Sequence, residues 1–248
     1  MKQQALVVLG LGITALFGVA SNGCTDSPTQ PTSGQVSLSL RYSSNSLSAL
    51  PRAAGGASTA AVDSIKISRA RFVLSRMRFK SSGDSTNFRA EPFVLELALS
   101  GSFQQIDVAD VPFRIYREIE FKVHRVDSSA LVGFSSTTLQ RFADFLAGER
   151  YSIIIEGTVY RPGETGQAFI LRSRVDEEQK YAFVPELVVS EGNPVVNATM
   201  SVSSFGWFRD SQGALVDPAM SSNENLISDN LKASIRVYKD NDRNGERG

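Results

Sequence analysis

Between residues 113 and 124 the apolar side chains Phe113, Ile115, Ile119, Phe121 and Val123 alternate with Arg114, Glu118, Glu120, Lys122 and His124. A period of two sends one set to a buried face and the other to water, so the stretch reads as a strand with one wet side. Similar runs recur at 36–42, 93–99, 151–161, 167–175, 181–190 and 194–208, with Pro162-Gly163 and Gly192-Asn193-Pro194 supplying breaks. Residues 62–80 have the β-branched and aromatic content of a strand, yet their apolar phase changes twice. Ile65 and Ile67 are odd, Ala70, Phe72 and Leu74 even, Met77 and Phe79 odd again. One slipped residue turns every later side chain to the other face, so bulges or a bend are required there. Only 136–146 and 223–238 have helical spacing, the latter putting Ile227, Leu231, Ile235 and Tyr238 on one side. About eight strands without a βα rhythm predict a mainly β fold: an antiparallel β-sandwich with one short internal helix and a C-terminal helix.

Composition narrows the chemistry. The 248 residues are 42% hydrophobic and 21% charged, enough apolar material for a core. Lysine plus arginine number 26 and aspartate plus glutamate 26, so no bulk charge draws the chain to nucleic acid. One histidine, His124, and one cysteine, Cys24, exclude zinc sites built from several such residues, CxxC redox centres, internal disulfides and HExxH chemistry. Neither a GxSxG elbow nor a P-loop occurs, which leaves nucleophilic hydrolysis and nucleotide-phosphate binding without a motif.

Met1-Lys2-Gln3-Gln4 is a short, weakly positive start, and the uncharged run 5–19 leads into Ala20, Ser21, Asn22 and Gly23. This is the layout of a secretory signal peptide over residues 1–23; a run of about 15 residues containing Gly10, Gly12 and Gly18 is too short for a stable membrane span. Cys24 follows at once and opens the polar stretch Thr25-Asp26-Ser27-Pro28-Thr29-Gln30-Pro31-Thr32-Ser33-Gly34. Over residues 1–34 the chain resembles bacterial lipoproteins, in which the cysteine after a small residue takes a diacylglyceryl group on its thiol and becomes the new N-terminus. The resemblance implies that Cys24 is lipidated, that 24–34 is a flexible tether, and that a membrane is a partner through the lipid. By the sorting pattern of that family, the resemblance further implies that Thr25, rather than aspartate, next to the cysteine gives a lipid-anchored place in the bacterial cell envelope at the outer membrane. Ser21, three residues before the cysteine, stands where the family has leucine or another aliphatic residue. The alternative is ordinary signal cleavage after Ala20 or Gly23, which leaves a soluble protein with a free thiol.

Residues 35–239 form the body, as one large sandwich or two smaller sub-domains, with 43–61 a loop of serine, alanine and glycine too poor in large apolar groups to pack. The body is similar to the transthyretin-like or immunoglobulin-like domains that such lipoproteins carry, which implies a fold and no activity. Residues 240–248 form an acidic loop. Asp240, Asp242 and Asn244 occupy positions 1, 3 and 5, Gly245 position 6, and Glu246 offers its carbonyl at position 7. That spacing is similar to the first half of an EF-hand, with calcium as the cofactor. Position 12 falls beyond Gly248, so a remote carboxylate or water has to complete the site; the alternative is a polar turn held by side-chain to backbone hydrogen bonds.

Phe205, Trp207 and Phe208 either form a platform for a sugar ring, with Trp207 as the ligand-binding residue, or belong to the core. Glu118, Glu120, Asp144, Glu149 and Glu156 are carboxylates from which a glycosidase pair could be drawn, as in almost any protein of this size. His124 lies on a wet face between Lys122 and Arg125, where a general base would still need an orienting partner and a nucleophile. The resulting expectation is a lipid-anchored envelope protein that is not an enzyme and acts as a binding, adhesion or structural module, with a glycan or envelope protein as partner. Its alternatives are a calcium-dependent carbohydrate-binding module and a glycoside hydrolase with paired carboxylates.

Overall fold

The computed structural model describes residues 32–43, 47–48, 62–81, 88–240 and 242. Its strands are β1 (Ser33–Ser43), β2 (Ser64–Ser81), β3 (Phe88–Ala90), β4 (Phe93–Glu96), β5 (Gln104–Pro112), β6 (Arg114–Val123), β7 (Ile153–Tyr160), β8 (Gln167–Ser173), β9 (Glu177–Val189), β10 (Val195–Ser203) and β11 (Ile235–Lys239); its helices are α1 (Ser136–Leu146) and α2 (Glu224–Ala233). They make two sheets, and the fold is mainly β as the alternation predicts.

β2 organises the larger sheet because its 18 residues are long enough for four partners. One edge carries β3 and β4 in a single register, with Phe79 opposite Phe88 and Leu74 opposite Phe93. The other edge carries β7 along 64–72 and β6 along 74–81. The handover falls at Val73, whose N–H donates to the Ser152 carbonyl at 2.8 Å and whose carbonyl accepts from the His124 N–H at 3.3 Å. β8 extends the β7 half and β9 the β6 half. The β2 ladders slip between Ile67 and Arg69 and between Leu74 and Arg76, the two places where the apolar phase of the sequence changes. With Ser68 and Ser75 as extra residues, Ile65, Phe72, Leu74, Met77 and Phe79 all join the same core.

The smaller sheet has the order β11-β10-β1-β5, so β1 lies in its interior with a partner on each edge. The β1–β10 pair is parallel, from Gln35 opposite Val195 to Ser43 opposite Ser203, while the other described ladders are antiparallel. The expected antiparallel sandwich is corrected at this one ladder. Its two strands lie at opposite ends of the domain sequence, so no hairpin fixes their direction. Gly34 is where β1 threads past its neighbours: a Cβ there would lie 2.6 Å from Val189 Cγ1 and would collide with the Pro194 carbonyl. The sheets close over one core in which Leu38, Leu40, Met200 and Val237 face Phe72, Phe79, Ile119 and Phe121, and Pro31–Gly248 forms one compact unit.

α1 covers the outward face of the larger sheet at the handover. Ser135 caps it, its Oγ accepting from the Thr138 N–H at 3.2 Å, and Phe142 and Phe145 close on Val73, Leu131 and Ile154 in a second apolar cluster. Two further local expectations are corrected. The C-terminal helix ends at Ala233 rather than running to Tyr238, because the Ser234 hydroxyl donates to the Leu231 carbonyl at 2.6 Å and Ile235-Arg236-Val237-Tyr238 pairs with β10 instead. In β6 the register slips between Tyr116 and Glu118, so Tyr116 is buried and Ile115 stands 43% exposed. Among the described residues no helix is long and apolar enough to cross a membrane.

Candidate functional site

Trp207 sits in the core, fully buried, at the end of the sandwich closed by the segment after β10. Its ring packs against Tyr42, Phe72 and Phe208 with centroids 6.3, 6.0 and 6.4 Å away, and the Tyr42 hydroxyl donates to Ser204 Oγ at 2.8 Å beside it. The aromatic platform that a sugar would stack on is therefore corrected to a core plug, since buried rings offer no face to a ligand. Phe205 is the exposed member of the trio, and Arg209 lies 4.8 Å over its ring.

Asp240 closes β11 rather than opening a free loop. Its N–H donates to the Asn197 carbonyl at 3.1 Å, and its buried carboxylate accepts from the Thr199 hydroxyl at 2.7 Å. The helix expected to deliver the chain into a cation loop is the strand β11, and Asp242 is exposed. Asn244, Glu246 and the lipidation candidate Cys24 lie outside the described residues. Among the described residues no cluster of three or more His, Cys, Asp or Glu side chains is arranged to hold a metal ion.

The carboxylates from which an acid pair could be drawn are each tied to a cation. Glu118 meets Lys80 at 3.0 Å, Asp144 meets Arg71 at 2.7 Å, Glu156 meets Arg71 at 2.9 Å, Glu149 meets Arg174 at 2.6 Å, and Glu120 lies between Arg78 and Lys80. Burial pushes Glu120 upward, but hydrogen bonds from Arg78 and Lys80 override it and bring its carboxyl from 4.5 down to about 2. That is the reverse of a general acid, which needs a raised value at neutral pH. His124 finds Asp176, its Nδ1 lying 3.1 Å from Oδ1, with Lys122 on the same carboxylate at 2.9 Å. Burial lowers the imidazole, partly offset by Asp176. Asp127, close to His124 in sequence, is paired with Arg150.

Sequence spacing does not reveal a cleft of about 760 Å³ between α1 and the β2–β4 edge. It exists because β2 places Arg69 and Arg71 on its outward face, where α1 and β7 bring acids to them. Arg71 is almost wholly buried, stacks 5.4 Å from Phe145, and spans Asp144 and Glu156. Arg69 forms a fork with Glu96 at 2.8 and 2.9 Å, and that hydrogen bonding holds the Glu96 carboxyl below its ordinary value. Thr137, Gln140 and Arg141 of α1 complete the rim. The cleft offers hydrogen-bond donors and acceptors in near charge balance, which suits a polar partner better than a strongly charged one. No family model matches the chain, and neither a curated protein nor a solved structure matches it.

Proposed function

We propose that this chain is a bacterial envelope protein anchored by lipid at Cys24, with its β-sandwich serving as a non-enzymatic binding, adhesion or structural module. The export layout of residues 1–23 and the position of the one cysteine support the anchor. The observation that carries the reading is the place of β1. The strand begins at Ser33, directly behind the tether, and lies between β10 and β5 rather than at a sheet edge. Tension applied at Thr32 acts on two hydrogen-bonded ladders at once, so a body held by this end resists being peeled from its attachment. The polar cleft beneath α1 is the surface for a glycan or envelope protein. Replacing Cys24 with serine should move the protein from the membrane fraction to the soluble fraction of a bacterial host while the sandwich keeps its melting temperature. Retention of the variant on membranes would refute the anchor.

A further inference from the structure

The end of the sandwich from which the tether leaves is also ringed by exposed apolar side chains. Ile115 and Val188 are cross-strand neighbours in the β6–β9 ladder and are 43% and 42% exposed. Val195, opposite Gln35 of β1, is 48% exposed on the other sheet. All three stand where the chain emerges: the Phe113 N–H donates to the Thr32 carbonyl at 3.2 Å, and the Gln35 N–H donates to the Pro194 carbonyl at 2.6 Å. Exposed Pro112, paired with Ser33, and Pro194 add to the same rim. The register slip at Arg117 is what turns Ile115 outward, in the position that a regular strand would have buried.

We infer that this apolar tip docks on the surface of the bilayer that holds the anchor, in a step that rests on the lipidation of Cys24 proposed above. Seven residues separate Cys24 from Thr32. Fully extended they span roughly 25 Å, so the tip is confined close to the headgroups and contacts them at a high effective concentration. Three aliphatic side chains too few to hold a free protein on a membrane are enough to orient one that is already tethered. The exposed Arg114 beside them suits headgroup phosphates, while Asp110 and Glu191 at the same end limit docking to the interfacial layer. The occupant is lipid rather than a second copy, because the tether delivers this end, and no other, to the membrane. Docking here directs the opposite end of the larger sheet, where Ser64 of β2 pairs with Tyr160 of β7, away from the surface.

The test uses full-length lipidated protein in phosphatidylethanolamine–phosphatidylglycerol vesicles. Val188→Cys, Val195→Cys and, as a distal control, Val132→Cys each introduce one labelling site for an environment-sensitive dye, the Cys24 thiol being consumed by the lipid. Val132 is 82% exposed and follows the end of β6 remote from the tip. Acyl-chain quenchers should reduce the signal about twofold at 188 and 195 and leave 132 unchanged. Equal quenching at all three positions overturns the docking, as does a dye at 188 or 195 that is shielded from water yet not quenched by lipid, the sign of a second copy. A mass showing unmodified Cys24 overturns the anchor and the docking together, whereas a lipidated mass with an unquenched tip overturns the docking alone.

Discussion

Val73 and Glu120 are both fully buried on the outward face of the same sheet, and they are buried by different means. Val73 lies in the half where α1 lays Phe142 and Phe145 over β2 and β7. Glu120 lies in the half where none of the described helices crosses; Arg78 and Lys80 of β2 close over it, and Arg76 stands at 3.9 Å. The first half is covered by dispersion and the hydrophobic effect, which involve no titrating group. The second is covered by ion pairs, whose worth depends on both. A sheet that needs both faces dry can thus be finished either by an insertion between two strands or by alternating charges along them. Arg71 marks the seam, with Phe145 on its face and Asp144 and Glu156 at its ends.

Breaking each half separately sharpens this contrast. Phe142→Ala removes a fully buried ring from the cluster under α1 and should cost about 3–5 kcal/mol in urea unfolding, with a slope that stays two-state. Glu120→Gln removes the anion but leaves Arg78 and Lys80 partly open to water, so its cost should be smaller, about 2–3 kcal/mol. The same carboxylate makes this half acid-sensitive. Its value in the folded chain, about 2, lies below its ordinary 4.5, so the stabilisation is complete above pH 4.5 and is lost as pH falls through 2. Stability measured between pH 6 and pH 2.5 should therefore fall less steeply in Glu120→Gln than in the parent, while Phe142→Ala should keep the parental slope. If both variants show the parental slope, the ionic half is not held by Glu120.

Smaller effects follow from the edges of each cover. Ser135→Ala removes the cap of α1 and should cost about 1 kcal/mol, seen as a modest shift of the unfolding midpoint. Lys180→Ala breaks a pair with Glu178 at the exposed margin of the ionic half and should change stability by less than about 0.5 kcal/mol, with no added effect in 1 M salt.

How much of this was readable in the residues depends on range. The two bulges of β2 were legible because a strand with period two reports its own slips, at Ile67 to Ala70 and at Leu74 to Met77. α1 was legible from its spacing and matches the expected 136–146. The segment after Leu231 reads as helix because Ile227, Leu231, Ile235 and Tyr238 share one helical side, and that spacing does not show the open edge of β10, which takes Ile235–Lys239 as a strand. The parallel β1–β10 ladder and the cover over Glu120 were not legible, because both depend on which distant strands become neighbours. Trp207 is similar: composition cannot tell a core plug from a platform, but Tyr42 and Phe72 around it do. The cleft beneath α1 arises from Arg69, Arg71 and Glu96 on strands paired only after folding.

The most direct measurement is the intact mass of the mature protein recovered from a bacterial envelope, with the N-terminal peptide sequenced by fragmentation. A chain beginning at residue 24 whose first residue carries a thioether-linked diacylglyceryl group is the expected species. A chain beginning elsewhere, or beginning at residue 24 with a free thiol, contradicts the anchor on which the function proposed for this sandwich depends.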